Sequence, residues 1–259
     1  METSSTHVDA MLASEPSGSL GGRVAVVTGG GSGIGRAIAA AFARAGAQVV
    51  IAGRGGDRLR LVAEDLGPAV HPVVADVTDE NDVRRLFDEA TRRAGAIDLL
   101  VNSAGAFAGG VVDDLSLTEW RTVMEVNVTG TFLCAREAFR HMRLRGGRII
   151  NVGSIAGSRA RAHSTAYAAS KHAVWGLTQA LALDGREDGI AVSCLNPGNT
   201  AVERRADAVA HAGRPEGPEP MMDPEQVARL ALLMATVPAD VNLLEATMLP
   251  VAQSYLGRG

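Results

Sequence analysis

Short apolar runs alternate with longer amphipathic segments along the chain from residue 23 onward. Apolar runs rich in valine, isoleucine and leucine are typical of buried strands in a parallel sheet. The amphipathic segments between them are typical of the crossover helices that join such strands. The predicted strands lie at 23–28, 48–52, 69–75, 97–102, 148–152, 190–196 and 246–251. The predicted helices lie at 34–45, 57–66, 80–93, 117–144, 165–187 and 224–234. The pattern therefore predicts one α/β domain, a doubly wound sheet of seven mainly parallel strands with helices on both faces.

Two segments depart from this alternation. Residues 1–20 carry little periodic apolar character, so we expect a flexible N-terminal leader there and a folded domain over 21–259. The segment 202–222 combines glycine, proline and charge in a stretch too long for an ordinary connection. Long connections in compact domains are commonly functional, so we predict a substrate lid near 202–222.

The composition indicates which kinds of molecule the protein can bind. The 259 residues are 46% hydrophobic, which is enough for a large core, and the net charge is only −4. Charges of both signs are interspersed, which argues against nucleic acid or a membrane surface and favours a small molecule. No run approaches the roughly 18 consecutive apolar residues of a membrane span, and the polar N-terminus lacks the apolar region of a signal peptide. We expect a cytoplasmic protein.

The sulfur and imidazole side chains give no sign of a metal site. Cys134 and Cys194 are the two cysteines, and both lie among apolar residues, so we expect free, buried thiols. The six histidines are scattered and form no cluster with ligand spacing. We therefore predict no metal.

A glycine-rich turn, TGGGSGIG at 28–35, directly follows the first predicted strand and opens the first predicted helix. In such a turn Gly29 allows the tight bend, Gly33 lets the backbone approach a dinucleotide, and Gly35 permits close packing of helix on strand. The helix N-terminus favours phosphate. The predicted phosphate-binding residues are Gly29, Ser32, Gly33, Ile34 and Gly35. The strand–turn–helix context predicts a Rossmann-like dinucleotide site.

The end of the second strand bears on which dinucleotide is bound. Where an acidic residue would hold the adenosine ribose 2′-hydroxyl, the chain has Gly53 followed by Arg54. An arginine there can pair with a 2′-phosphate, and Arg58 could share that task. This favours NADP(H) over NAD(H), the alternative being that Arg54 is only a solvated loop residue.

Four motifs occur in the order and approximate spacing of a known family: TGGGSGIG, NSAG at 102–105, Ser154, and YAASK at 167–171. On these motifs the chain resembles the short-chain dehydrogenase/reductase family from Gly22 nearly to its end. The resemblance implies that Asp76 binds the adenine amino group with Val77 alongside. It further implies adenosine ribose contacts and a role in stabilising the central sheet for Asn102, Ala104 and Gly105.

The same resemblance extends to NPGNTAVE at 196–203 and then weakens. Pro197 and Gly198 match the family's turn beneath the nicotinamide. Family members usually have an aliphatic residue two positions after the glycine and a threonine four after it, where this chain has Thr200 and Val202. We therefore retain Thr200 as a candidate cofactor contact in a shifted backbone.

Tyr167 and Lys171 are four residues apart on a predicted helix, so their side chains share one face. A free tyrosine has a pKa of about 10, and a nearby ammonium would lower it by stabilising the phenolate, which suits Tyr167 as a general acid/base. The family's mechanism implies that Lys171 lowers this pKa and binds the nicotinamide ribose, so Tyr167 and Lys171 also belong to the cofactor site. It also implies that Ser154 holds the substrate oxygen and that Asn127 positions a relay water.

Together these residues predict an oxidoreductase that transfers a hydride between NADP(H) and an alcohol or carbonyl substrate. Two alternatives stay open: a catalytically silent NADP(H)-binding regulatory protein and an NAD(H)-dependent alcohol dehydrogenase. Candidates for substrate selection are Phe107 and a set of basic side chains that could attract an anion, Arg159, Arg161, His163, Arg204 and Arg205. The long helices predicted at 117–144 and 165–187 should pack on other subunits, so we expect a homotetramer or homodimer.

Overall fold

Seven strands form one sheet in the computed structural model, which describes residues 19–202 and 220–254. The strand order is β3-β2-β1-β4-β5-β6-β7 and every neighbouring pair is parallel. The strands are β1 (Val24–Thr28), β2 (Gln48–Gly53), β3 (Val70–Val74), β4 (Leu99–Asn102), β5 (Gly147–Val152), β6 (Ile190–Pro197) and β7 (Glu245–Met248). The predicted fold class is confirmed, and the sheet is parallel throughout.

Helices cover both faces of the sheet. They are α1 (Gly33–Arg44), α2 (Gly56–Leu66), α3 (Glu80–Ala94), α4 (Leu117–Met124), α5 (Gly130–Met142), α6 (Thr165–Asp184) and α7 (Pro224–Thr236). Two short turns complete the described helical structure, a π turn at Glu125–Thr129 and a 3₁₀ turn at Ile155–Gly157.

The π turn corrects the single helix predicted at 117–144. Here the N–H of Gly130 bonds to the carbonyl of Glu125, five residues back, so the turn holds one residue more than an α-helical turn. The backbone is helical on both sides of this turn, so the sequence pattern was read as one continuous helix.

Alternate residues of the strands supply two apolar layers. Val27 and Ile51 pack with α1, α2 and α7 on one face, while Val26 and Val50 pack with α3, α5 and α6 on the other. Strands buried on both faces read as continuous apolar runs, which explains why they were visible in the sequence.

The start of the folded domain lies upstream of the predicted boundary. Leu20 is only 2% exposed, belongs to the core, and its N–H bonds to the carbonyl of Ala45 at 2.8 Å. The rest of the predicted leader, residues 1–18, and the lid residues 203–219 lie outside the described residues. Within the described ranges no helix has both the length and the apolar character to cross a membrane.

Candidate active site

The carboxyl ends of β1, β4, β5 and β6 meet at one edge of the sheet, because all the strands run in the same direction. At this edge the glycine turn passes from β1 into α1, with Gly29 and Gly33 at φ values of +67° and +50° that favour glycine. A Cβ on Gly35 would overlap the carbonyl of Gly29. The turn can therefore keep this shape only with glycine at these positions.

The NSAG segment packs directly on the glycine turn. A Cβ on Gly29 would lie 2.9 Å from the backbone of Ser103 and Ala104. Thr28, which sequence reasoning did not select, accepts hydrogen bonds through Oγ1 from the N–H groups of Ser103 and Ala104, both at 3.1 Å. Its position, immediately before the first glycine, was the available signal. Thr28 thus fixes the segment that was predicted to flank the adenosine ribose.

The side chain of Asn102 lies inside the sheet. It is buried, and its Nδ2 donates to Oδ1 of Asn151 at 2.9 Å, while Asn151 Nδ2 donates to Thr178 Oγ1 at 2.9 Å. This chain of amides links β4, β5 and α6. The geometry agrees with the sheet-stabilising part of the expected role of Asn102.

Basic side chains surround the end of β2. Arg54 is exposed directly after the strand, and Arg58 lies in the first turn of α2. A Cβ on Gly31 would lie 3.6 Å from Cγ and Cδ of Arg58, so the stem of that arginine runs beside the glycine turn. Asp57, the nearest following carboxylate, pairs with Arg60. Positive charge therefore flanks the position where the ribose 2′ group is expected.

Asp76 and Val77 follow β3 at the same edge. Oδ1 of Asp76 accepts from the N–H and the hydroxyl of Thr78, at 3.0 and 2.8 Å, so its Oδ2 is available for an adenine amino group. Val77 is buried against Gly130, where a Cβ would lie 2.7 Å from Val77 Cγ2. An open glycine turn, a helix N-terminus and this carboxylate together fit an adenine dinucleotide.

Tyr167 and Lys171 share one face of α6, as predicted. Lys171 is 7% exposed, and its Nζ lies 5.7 Å from the ring centre of Tyr167. The same Nζ donates to the carbonyl of Val152 at 2.7 Å. The helix approaches this strand end closely, since a Cβ on Gly157 would lie 2.8 Å from the carbonyl of Lys171. The ammonium therefore bridges Tyr167 and the end of β5.

Ser154 lies two residues beyond Val152 and is buried. Its Oγ accepts from the N–H of Ala156 at 3.1 Å, which leaves the hydroxyl hydrogen for another oxygen. Its own N–H donates to Oδ1 of Asn196 at 3.1 Å. Asn196, which sequence reasoning did not select, thus sets the backbone position of Ser154 from the end of β6.

Asn127 lies in the π turn and is buried. Its Nδ2 donates to the carbonyl of Ala106 at 3.0 Å and to Ser170 Oγ at 2.9 Å, while its Oδ1 accepts from the N–H of Ala106 at 2.7 Å. Ser170 in turn donates to the carbonyl of Tyr167 at 2.7 Å. Because both amide hydrogens are used, Asn127 can contact a relay water only through its oxygen atoms.

The turn after β6 is anchored to the C-terminal segment. The N–H of Gly198 bonds to the carbonyl of Met248 at 2.7 Å. Thr200 is buried, and its hydroxyl donates back to the carbonyl of Gly198 at 3.1 Å. Val202 approaches the glycine turn, since a Cβ on Gly33 would lie 3.0 Å from Val202 Cγ1. Val202 therefore lies against the phosphate-binding turn, while the hydroxyl of Thr200 bonds within the turn after β6.

The loops after β4 and β5 meet near Tyr167. The ring of Phe107 meets that of Tyr167 edge-on, with ring centres 5.2 Å apart, and Phe107 is 47% exposed. The carbonyl of His163, a residue with φ of +59°, accepts from the N–H of Gly110 at 3.1 Å. Arg161 Nη2 donates to Asn199 Oδ1 at 3.0 Å. Arg159, a further candidate for anion binding, is exposed, and the last two candidates, Arg204 and Arg205, lie outside the described residues.

Both cysteines are free and buried, as predicted. Burial raises the pKa of the Cys134 thiol to about 12 and that of Cys194 to about 11. Little thiolate therefore forms near neutral pH, which makes both thiols poor nucleophiles.

Comparison with known proteins places the chain in a large group of oxidoreductases. Residues 23–212 match the family model described as short chain dehydrogenase. An uncharacterized oxidoreductase of Staphylococcus aureus (strain N315) is 36% identical over 231 residues, which cover 88% of this chain and 97% of that protein. L-fucose dehydrogenase of Bos taurus is 40% identical over 179 residues, covering 69% of this chain and 66% of its own.

Two solved structures share the fold over most of their length. The 3-ketoacyl-(acyl-carrier-protein) reductase from Brucella melitensis, complexed with NADH, has a TM-score of 0.79 and 28% identity, covering 89% of this chain and 98% of its own. A variant of actinorhodin polyketide ketoreductase with NADPH has a TM-score of 0.83 and 29% identity, covering 92% and 98%. A nicotinamide cofactor is therefore supported by both the geometry and the neighbours. The chain belongs to the short-chain dehydrogenase/reductase family.

Proposed function

We propose that the chain transfers a hydride between NADP(H) and an alcohol or carbonyl group. The observation that carries this proposal is the position of the Lys171 ammonium, 5.7 Å from the ring centre of Tyr167 and bonded to the carbonyl of Val152. That carbonyl lies at the strand end leading to Ser154. A proton donor, a cation and a hydroxyl donor are thus gathered at the sheet edge that also carries the glycine turn.

Each of these side chains has a distinct task in carbonyl reduction. The bound cofactor would supply the hydride to the carbonyl carbon. Tyr167 donates its phenol proton to the carbonyl oxygen, so that C=O becomes CH–OH and Tyr167 is left as a phenolate. Ser154 donates its hydroxyl hydrogen to the same oxygen and holds it in place. Alcohol oxidation uses the same groups in reverse.

Lys171 and Asn127 serve the return of the proton. An ammonium has three hydrogens, so the bond to Val152 leaves two for the nicotinamide ribose hydroxyls. The Lys171 ammonium lies 5.7 Å from the ring centre of Tyr167, where it would stabilise the negative charge that proton transfer leaves on the phenol oxygen. A water held at an oxygen of Asn127 would carry the proton from solvent. The Asn127–Ser170–Tyr167 hydrogen bonds hold the π turn and α6 in fixed relative positions.

The proposed preference for NADP(H) depends on Arg54 and Arg58. Arg54 and Arg58 are both exposed, the stem of Arg58 runs beside the glycine turn, and neither Gly53 nor Gly55 offers a carboxylate to a ribose 2′-hydroxyl. A 2′-phosphate would accept charge-assisted hydrogen bonds from the two arginines.

Fluorescence titration with NADPH and NADH tests the cofactor and the preference together. We expect wild type to bind NADPH at least about tenfold more tightly, and Arg54→Ala and Arg58→Ala each to weaken NADPH about tenfold while leaving NADH within about twofold. Arg60→Ala, which removes a neighbouring arginine paired with Asp57, is the matched control and should change neither. Equal or tighter NADH binding by wild type would overturn the preference, and binding without turnover on any ketone or alcohol would overturn the reaction.

Oxidation of a polyol or sugar hydroxyl with NAD(H) is the second candidate. It is favoured by the similarity to L-fucose dehydrogenase and by the neighbour that was solved with NADH. The same titration separates it from the first candidate, because it requires NADH to bind as tightly as NADPH.

Assembly into a homotetramer or homodimer belongs to the same proposal. Phe132 on α5 and Leu183 on α6 are large apolar side chains left exposed in the single chain, and a groove lined by Arg136, Phe139 and Leu181 runs between these helices. A partner subunit would cover this apolar surface. Light scattering should give an oligomer for wild type and a monomer for Leu183→Glu; a wild-type monomer would refute the assembly.

A further inference from the structure

Three segments that are distant in sequence meet at Asn199, in the turn after β6. Its Oδ1 accepts from Arg161 Nη2 at 3.0 Å, its N–H donates to Gln253 Oε1 at 2.8 Å, and its carbonyl accepts from the N–H of Met222 at 2.8 Å. Asn199 is 3% exposed and Gln253 is 6% exposed. These contacts are therefore built into the interior and are not surface pairings.

We propose that Arg161, Asn199 and Gln253 are positioning residues that hold the substrate-side loop, residues 158–164, against the turn after β6. The loop separates Ser154 from Tyr167, so its position decides how closely a substrate is enclosed between them. The catalytic consequence rests on the proposed function, whereas the structural linkage does not.

The substrate-side loop is also held by bonds within itself and to the loop after β4. Ser164 Oγ donates to the carbonyl of Arg161 at 2.6 Å within the loop, and the carbonyl of His163 accepts from Gly110. His163 has a φ of +59°, a conformation that costs free energy in a residue other than glycine and persists where surrounding contacts hold it. The Arg161–Asn199 bond lies two residues away and supplies such a contact.

Gln253 supports the other side of Asn199. A Cβ on Gly198 would overlap Gln253 Oε1, so the absence of a side chain at Gly198 is what lets the amide reach the turn. Gln253 Nε2 is buried without a hydrogen-bond partner among the described residues. Leaving a buried donor unsatisfied costs free energy that a methionine of similar size would not incur. The glutamine is therefore explained by the acceptor that it offers to Asn199, and not by packing.

This assignment differs from the sequence-based prediction, in which Arg161 was a candidate for binding an anionic substrate. A guanidinium bonded to Asn199 Oδ1 acts on the substrate through the position of the loop. If Arg161 instead binds a substrate carboxylate, removal of Asn199 Oδ1 should have little effect. Variants at both ends of the bond therefore separate the two tasks.

Hydrogen–deuterium exchange on the full chain tests the linkage without any need for activity. We expect Arg161→Met, Asn199→Ala and Gln253→Met each to speed amide exchange in residues 158–164 by about tenfold, as loss of a charge-assisted or buried hydrogen bond allows. Asn199→Asp keeps the accepting oxygen opposite the Arg161 guanidinium and should exchange like wild type. Arg145→Met, which removes an exposed arginine before β5 at the opposite sheet edge, is the control for lost charge.

Steady-state kinetics then tests the consequence. Arg161→Met and Asn199→Ala should raise the KM for a ketone about tenfold and leave the Kd for NADPH within about twofold. The double variant should be no worse than either single variant, because both remove the same bond.

Unchanged exchange in the three disrupting variants, or additive effects in the double variant, would overturn the proposal. A loss restricted to Arg161→Met and to carboxylated ketones would assign Arg161 to the substrate instead. If wild type reduces no ketone, the proposed function fails while the exchange result still decides the linkage.

Discussion

The cofactor half and the substrate half of the site share one sheet edge but are held in different ways. In the cofactor half, around β1 and α1, backbone packs on backbone where glycine leaves no room for a side chain, as at Gly29 and Gly35. In the substrate half, the loops after β4, β5 and β6 are held by the side-chain amides of Asn127, Asn196 and Asn199.

The difference predicts two kinds of response to substitution. An added Cβ in the cofactor half would overlap neighbouring backbone atoms, so the backbone must move. Cofactor binding should then be lost almost completely. An amide hydrogen bond in the substrate half contributes about 0.5–1.5 kcal/mol to stability, so its loss should loosen a loop only partly. We therefore expect the cofactor half to respond abruptly and the substrate half gradually.

Tyr167→Phe should have the largest effect on turnover. It should also show that catalysis can be lost while cofactor binding is kept. Loss of the proposed proton donor is expected to lower kcat about a thousandfold, while the Kd for NADPH stays within about twofold because the phenol lies outside the glycine turn. Stopped-flow kinetics and fluorescence titration measure the two quantities. A parallel loss of NADPH binding would contradict the separation.

Gly35→Ala should break the cofactor half. Its Cβ would overlap the carbonyl of Gly29, so we expect NADPH binding to weaken at least about a hundredfold, with a lower melting temperature. Gly31→Ala is the matched control, since its Cβ would lie no closer than 3.4 Å to another atom and its φ needs no glycine. Near-normal NADPH binding by Gly35→Ala would show that the turn is less constrained than this packing indicates.

Asn196→Ala should loosen the substrate half without disabling it. Removing the acceptor for the Ser154 N–H is expected to lower kcat about tenfold and to leave the Kd for NADPH unchanged. Asn242→Ala is the matched control: Asn242 also bonds to β6, through Val192 and Ser193, but at the opposite end of the strand. Equal losses of kcat in the two variants would point to general destabilisation and not to positioning of Ser154.

Thiol labelling offers a finer measure of the same loosening. Cys194 Sγ donates to Asn196 Oδ1 at 3.2 Å, and burial raises the pKa of this thiol to about 11, so little thiolate exists near neutral pH and labelling of the native protein should be slow. In Asn196→Ala we expect Cys194 to label about fivefold faster, corresponding to about 1 kcal/mol of lost local stability. Cys134, buried away from Asn196 on α5, should not change and serves as the internal control.

The features that could be predicted from the sequence are those determined by residues close together in the chain. Seven apolar runs gave the strands, and the glycine spacing gave the phosphate-binding turn, because each is specified within a few neighbouring residues. Tyr167 and Lys171 were likewise found together because one helix carries both.

The supports of the substrate half were missed because their partners lie far apart in sequence. Ser154 and Asn196 are separated by 42 residues, Arg161 and Asn199 by 38, and Asn199 and Gln253 by 54. Nothing in the sequence near an asparagine shows which distant backbone group its amide will reach. The π turn escaped notice because helix lies on both sides of it, and the sequence pattern was read as one helix across the turn.

The burial of Leu20 bears on how a shortened recombinant form of this protein should begin. A chain cut back to Arg23, where the family match starts, would keep every motif yet lose a side chain that is 2% exposed in the core, together with its bond to Ala45. Removing a large buried side chain typically costs about 2–5 kcal/mol, a large share of the stability of most domains. An affinity tag or protease site should therefore be joined upstream of Ser19, so that the first turn of the fold keeps its anchor.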